Sequence, residues 1–120
     1  MECIMDGVDG EVREFIEWMC EKMVSRQVII SLEIFPPKKL SKEAGNMTTY
    51  ALPGGLTIWH IVADVRSPLL VVVVHELLHM RFPNDKESAI EDWTTMVLEH
   101  MTVRDYVRVL QLLAKVCIEG

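Results

Sequence analysis

Residues 67–80 decide how this chain folds, and they read SPLLVVVVHELLHM. Ser67 followed by Pro68 is typical of a helix start, because a serine side chain can cap free backbone N–H groups and proline suits the first helical position. The four valines Val71–Val74 would instead suit a buried strand by propensity alone. Periodicity does not separate a buried helix from a buried strand, so the pattern leaves both open.

The second half of this segment has a metal-binding pattern, His75-Glu76-Leu77-Leu78-His79. In a helix, histidines four residues apart lie on one face about one turn apart, so both imidazoles can bind one zinc ion. Glu76 would lie beside the metal without binding it, placed to act as general base toward a water that the metal activates. Because such side chains are costly to bury without partners, the apolar surroundings favour a zinc site over a chance match. The pattern therefore predicts a zinc-dependent peptide hydrolase.

A third ligand is required, since catalytic zinc takes three protein ligands and leaves one position for water. The downstream candidates are Glu87, Glu91, Asp92, Glu99 and His100. If Pro83–Asp85 reverses the chain, a second helix returns antiparallel, and helical rise places the ligand about five or more residues into it. Glu91 fits that level best, and Glu87 is the second choice, as ligand or as an outer-shell acceptor, if the turn is tighter. The other three candidates are expected to be solvated or, for His100, part of the core or an interface.

The sequence before the motif predicts a helix followed by a small sheet. Apolar residues at intervals of three and four predict an amphipathic helix over Asp9–Ser25, and a β-branched run predicts a strand over Gln27–Phe35. Two further strand candidates, Thr48–Leu52 and Leu56–Val62, flank the turn sequence Pro53-Gly54-Gly55 and predict a hairpin.

Two more helices are expected after the motif. Asn84 or Asp85 can cap a helix that starts with Lys86-Glu87, and Thr102 with Asp105 three residues later predicts a capped start for the last helix. The core face of that last helix would use Tyr106, Val109, Leu110, Leu113 and Val116 or Cys117. The length and the order of elements predict a single α+β domain over residues 1–120.

Composition narrows the classes of partner and the compartment. Twelve Lys and Arg against eighteen Asp and Glu give a net charge of −6, and no run of basic residues is present, so no nucleic acid is expected as the main partner. The longest apolar stretch, Pro68–Val74, is far shorter than a membrane span. Three widely spaced cysteines fit no disulfide framework, and the acidic start is unlike a signal peptide. We therefore expect a soluble cytoplasmic protein with no membrane contact.

The motif, the Pro-containing turn and the following Glu91-Asp92-Trp93-Thr94 resemble the gluzincin metallopeptidases, in which a glutamate helix donates the third zinc ligand. Length and element order are similar to the minigluzincins in particular. The resemblance implies a minimal zincin-like domain with an N-terminal helix, a small two- or three-stranded sheet, the HExxH helix, the glutamate helix and a C-terminal helix. It implies His75, His79 and Glu91 as ligands and Glu76 as general base. Thr94 and Thr95 stand where the family often has a small residue and Asp or Asn. The resemblance also implies that activity can be latent or self-inhibited.

Two other functions remain open beside the metallopeptidase. One is a zinc-binding regulatory or protein-interaction module without peptidase activity, and the other is a metal-free interaction protein with adaptable surface from eight methionines and three tryptophans.

The expected partner of the peptidase is a peptide or unfolded-protein substrate, and self-association is left open. The strand Thr57–Ile61 could bind that peptide by strand addition. Tyr50, His60, Tyr106 or an arginine of the last helix could stabilise the oxyanion, and no substrate-binding residue can be assigned.

Overall fold

A computed structural model describes residues 4–34, 45–51, 54, 57–64, 66 and 68–119 of the chain. These residues form an α+β domain, which confirms the predicted class. The elements in chain order are α1 (Ile4–Val24), β1 (Val28–Glu33), β2 (Gly45–Ala51), β3 (Thr57–Asp64), α2 (Leu69–Arg81), α3 (Glu87–His100), α4 (Val103–Val116) and β4 (Cys117–Glu119).

The strands form one four-stranded mixed sheet in the order β2-β3-β1-β4. β3 and β4 both run parallel to β1, and β2 runs antiparallel to β3. β2 and β3 form the predicted hairpin, and Gly54 in its turn has a φ of 88°, a backbone conformation that glycine adopts without strain. The sequence predicted two or three strands, so β4 is an addition. It forms because the chain leaves α4 beside β1, where Cys117 pairs with Ile30.

The core lies between one face of this sheet and the helices. Alternate residues of the central strands, Val28 and Ile30 in β1 and Ile61 and Ala63 in β3, have no exposed surface. Val28, Ile30 and Ile61 belong to one hydrophobic cluster with residues of all four helices. The predicted apolar stripe of α1 is confirmed as part of this core, with Val12, Phe15, Ile16, Met19 and Met23 all buried.

Residues 69–81 form a helix, which decides between the two interpretations of the valine run. α2 is buried on most of its circumference, with Val72, Val73, Val74, Leu77 and Leu78 all inaccessible to solvent or nearly so. A helix satisfies its backbone hydrogen bonds internally, so it can be enclosed in this way without strand neighbours. Pro68 lies at the N-cap position and not at the first helical position, and Ser67 lies outside the described residues.

The predicted N-cap of α4 is confirmed, whereas that of α3 is not. α3 has Lys86 at its N-cap with no side-chain capping bond, so the prediction of Asn84 or Asp85 as cap was wrong. The physical reason is that Asp85 still belongs to the turn, where its backbone N–H donates to the carbonyl of Phe82 at 3.2 Å. α4 begins with the predicted capping box, in which Thr102 and Asp105 each bind the other's backbone N–H.

The core face of α4 is narrower than predicted. Val109, Leu113 and Val116 are buried, but Leu110 is 52% exposed because it lies about 100° around the helix from Val109, at the edge of the buried face, and Cys117 belongs to β4. The buried face also includes Asp105, whose carboxylate accepts two hydrogen bonds from the Arg13 guanidinium of α1 at 2.7 and 2.8 Å. This ion pair joins the first and last helices.

We expect Asp105→Ala to lower the free energy of unfolding by about 2 kcal/mol at pH 7, since it removes the capping box and the two hydrogen bonds from Arg13. The expected loss of unfolding free energy is smaller than for a fully buried ion pair, because the Arg13 side chain is 42% exposed. The matched control is Glu17→Ala, which breaks the solvent-exposed Glu17–Arg108 pair between the same two helices and should cost less than about 1 kcal/mol. Urea unfolding of both variants measures the difference, and equal losses would contradict this ranking.

The same carboxylate predicts a pH dependence of stability. The two hydrogen bonds from Arg13 hold the pKa of Asp105 well below its usual range, against the opposing effect of burial. A carboxyl whose pKa is lower in the folded state stabilises the fold above its unfolded pKa of about 3.9, and that contribution is lost as the pH falls toward the folded pKa. The difference in unfolding free energy between wild type and Asp105→Asn should therefore shrink as the pH is lowered below about 4.

Candidate metal centre

The two motif histidines lie together on one face of α2. Their ring centroids are 4.8 Å apart, and the two Nε2 atoms are separated by 3.2 Å. This arrangement follows from local geometry, because residues four apart in a helix are stacked one turn above the other. Both side chains are only partly buried, at 23% and 31% exposed, so the pair lies at the surface of the domain and not inside the core.

Glu87 brings a carboxylate to the same point from the first turn of α3. Its Oε1 lies 2.7 Å from Nε2 of His75, and its Oε2 lies 2.8 Å from Nε2 of His79. One donor atom from each of the three residues lies within 4.8 Å of the others, and this group can hold a metal ion. Glu91, which was expected as the third ligand, is exposed and does not belong to the group, whereas Glu87, the second choice, does.

The spacing of the donors suits one small metal ion. Two nitrogens bound at about 2.0–2.1 Å in tetrahedral geometry are about 3.3 Å apart, close to the separation of the two Nε2 atoms here. The chemistry of the donors is compatible with a metal. A carboxylate oxygen only accepts hydrogen bonds, so without a metal each ring must place its hydrogen on Nε2 to bond Glu87, whereas one shared metal cation can take a lone pair from each of the three residues.

The position of Glu87 depends on how α3 meets α2. Trp93 stacks on Phe82 with ring centroids 5.8 Å apart, while the next residue, Thr94, contacts His75. Phe82 and His75 are seven residues apart, which is about 10 Å along a helix. Adjacent residues of α3 thus contact positions about 10 Å apart along α2 and its C-cap. The count of helical rise that favoured Glu91 assumed a side-by-side antiparallel pair, and these contacts do not follow that simple register.

Thr94 is a residue of the site that sequence reasoning missed. It is buried, with 6% of its surface exposed, and its Oγ1 lies 3.5 Å from Nδ1 of His75. The same hydroxyl donates a hydrogen bond to the carbonyl of Ile90 at 2.8 Å. The signal was present in the spacing, because Thr94 follows Glu87 by seven residues and so lies on the same face two turns later. The spacing points to Thr94 only if Glu87, and not Glu91, is taken as the third ligand from which residues are counted.

Glu76, the predicted general base, is half-buried on α2 next to His75. The predicted oxyanion stabilisers fall in different places. His60 is bonded to Ser31 at 2.5 Å on the sheet face opposite to the buried Ile61, and Tyr106 donates to the carbonyl of Leu98 at 3.4 Å. Among the described residues, the metal group consists of His75, His79 and Glu87 and includes neither His60 nor Tyr106. The Tyr50 side chain lies outside the described residues.

The remaining candidates have structural or solvent-exposed positions. His100 is half-buried and donates from Nδ1 to the carbonyl of Met96 at 2.7 Å, so it is a hydrogen-bonded residue of the helix end. Asp92 and Glu99 are exposed on α3. Arg108 of the last helix is engaged with Glu17 at 2.8 Å.

Comparisons of the chain with protein-family models, with curated proteins and with solved structures found no match. Among the residues that the structure describes, no helix is both long and apolar enough to cross a membrane.

Proposed function

We propose that this chain is a zinc-dependent metallopeptidase whose zinc is held by His75, His79 and Glu87. The observation that supports the proposal most is that a third donor, Glu87, meets both histidines of an H-E-x-x-H pattern within 2.8 Å. If the five-residue pattern were a chance match, there would be no reason for a carboxylate from another helix to lie beside both histidines. The resemblance of the motif to the gluzincins supports hydrolysis of peptide bonds as the reaction.

Zinc is the proposed metal because the donor set combines two imidazole nitrogens with one carboxylate, a combination that catalytic zinc sites use. A zinc ion held by three protein ligands keeps one position for water and lowers the pKa of that water toward neutrality. The three donors come from two helices, so the ion would also link α2 to α3.

Glu76 is the proposed general base. It follows His75 directly, so its side chain starts about 100° around the helix from the ligand and does not have to bind the metal. From this position the carboxylate would accept a proton from the attacking water and return it to the leaving amine. The assignment of the base rests on the motif, and the half-buried position of Glu76 is compatible with it.

Metal analysis together with a cleavage assay tests the proposal. Protein purified without chelators should contain about one zinc per chain, in line with one three-ligand site. It should cleave a fluorescein-labelled unfolded casein, lose that activity after dialysis against a chelator, and regain it when zinc is restored. Added zinc should also raise the melting temperature of the metal-free protein, because a ligand that binds only the folded state stabilises it.

The possible results separate the three functions. Zinc near one per chain without cleavage at any protein concentration would contradict the peptidase and favour a zinc-binding regulatory module. Protein that contains no zinc, and whose melting temperature does not respond to added zinc, would contradict both and favour a metal-free interaction protein.

A further inference from the structure

The contact between Thr94 and His75 has a defined direction. The Thr94 hydroxyl has one hydrogen, and it is donated to the carbonyl of Ile90, an atom that can only accept. Oγ1 therefore faces Nδ1 of His75 with its lone pairs. For this contact to be attractive, Nδ1 must have the hydrogen, and the neutral ring then has its free lone pair on Nε2.

The Nε2 atom of His75 also faces His79 and lies 2.7 Å from the Glu87 carboxylate, which without a metal would favour a hydrogen on Nε2. A metal ion binds the lone pair of an imidazole and not its N–H. The tautomer that suits Thr94 is thus the one in which His75 offers a lone pair to the metal group. Histidine ligands in metal sites are commonly oriented in this way by an acceptor on their other nitrogen.

We propose that Thr94 is a positioning residue that holds His75 in the Nδ1–H tautomer, with the Nε2 lone pair directed at the metal group. The inference rests on the metal site of the proposed function but not on peptide hydrolysis. The backbone contributes to this role, because the carbonyl of Ile90 orients the hydroxyl. Burial contributes as well, because little water reaches Thr94 to compete for its lone pairs.

Metal affinity tests the role of the hydroxyl apart from that of side-chain volume. Thr94→Val keeps the shape and removes the hydroxyl, and we expect it to weaken zinc binding about 10–100-fold, as losses of an outer-shell partner do. Thr94→Ser keeps the hydroxyl and should restore most of the affinity. The matched control is Thr95→Val, which removes the adjacent hydroxyl, one that donates to the carbonyl of Glu91 at 3.2 Å on the exposed side of α3.

Zinc dissociation constants are measured by competition with a chromophoric chelator, and the melting temperature of each metal-free variant shows whether it is folded. The expected order of affinity is wild type and Thr95→Val, then Thr94→Ser, then Thr94→Val. Folded Thr94→Val that binds zinc as tightly as wild type would overturn the proposal. A loss of affinity in Thr94→Ser as large as in Thr94→Val would overturn it too, because a retained hydroxyl would then not preserve zinc binding.

The tautomer can be measured without any metal. Glu87→Ala removes the carboxylate that competes for a hydrogen on Nε2, so His75 in this background reports the effect of Thr94 alone. Nitrogen-15 NMR of the imidazoles at a pH where they are neutral should show mainly the Nδ1–H form in Glu87→Ala and a smaller fraction of it in Glu87→Ala/Thr94→Val. Equal fractions would overturn the proposal. A wild-type protein that binds no zinc would overturn the proposed function separately, because this NMR result does not depend on metal.

Discussion

Glu76→Gln should slow peptide hydrolysis about 10²–10⁴-fold while the protein retains its zinc, because removal of a general base costs roughly that factor. The amide has nearly the shape of the carboxylate but cannot accept a proton from water. The three proposed ligands are untouched, so zinc content and the zinc-dependent rise in melting temperature should equal those of wild type. The measurement is the rate of casein cleavage at matched zinc occupancy.

Two results would contradict the role of Glu76. A variant that cleaves casein at the wild-type rate would show that another group accepts the proton. A variant that loses both activity and zinc would show that Glu76 supports the metal site itself. Asp92→Asn is a suitable control, because it neutralises an exposed carboxylate on α3 outside the metal group, and its rate should be unchanged.

Glu87→Ala should weaken zinc binding by more than the roughly 10–100-fold that loss of an outer-shell partner costs, since it removes a ligand directly. The fold should tolerate the change, because the Glu87 side chain is 59% exposed. Glu91→Ala is the matched control on the same helix. It removes another exposed carboxylate of the same charge one turn later, and it should leave zinc affinity unchanged.

The comparison of these two variants decides the third ligand. Zinc dissociation constants from chelator competition are the measurement, with melting temperatures to confirm folding. A large loss in Glu91→Ala with none in Glu87→Ala would reverse the assignment and restore the ligand that the resemblance to gluzincins implies. Loss in neither variant would place the third ligand elsewhere in the chain.

The pairing of the two histidines could be predicted because it depends only on residues that are close in the sequence. The spacing of four residues between His75 and His79 places both rings on one face of any α-helix, whatever surrounds that helix. The capping box of Thr102 and Asp105 is local in the same sense, since both partners lie within one turn. The interpretation of 69–80 was less certain, because four valines satisfy a buried strand as well as a buried helix.

The parts that escaped prediction depend on contacts between distant segments. β4 exists because α4 ends beside β1, and three residues have too little pattern of their own to indicate a strand. The choice between Glu87 and Glu91 depends on how α3 packs against α2, for example through the stacking of Trp93 on Phe82. Thr94 could be recognised only after that choice was made.

The sequence by itself determined which residues can bind a metal and that His75 and His79 share one face if their segment is a helix, because helical periodicity acts over a few residues. The tertiary structure alone decided that Glu87 completes the group and that the Thr94 hydroxyl meets Nδ1 of His75. Those contacts join residues 12 and 19 positions apart in the chain, and their geometry is a property of how two helices pack and not of either helix alone.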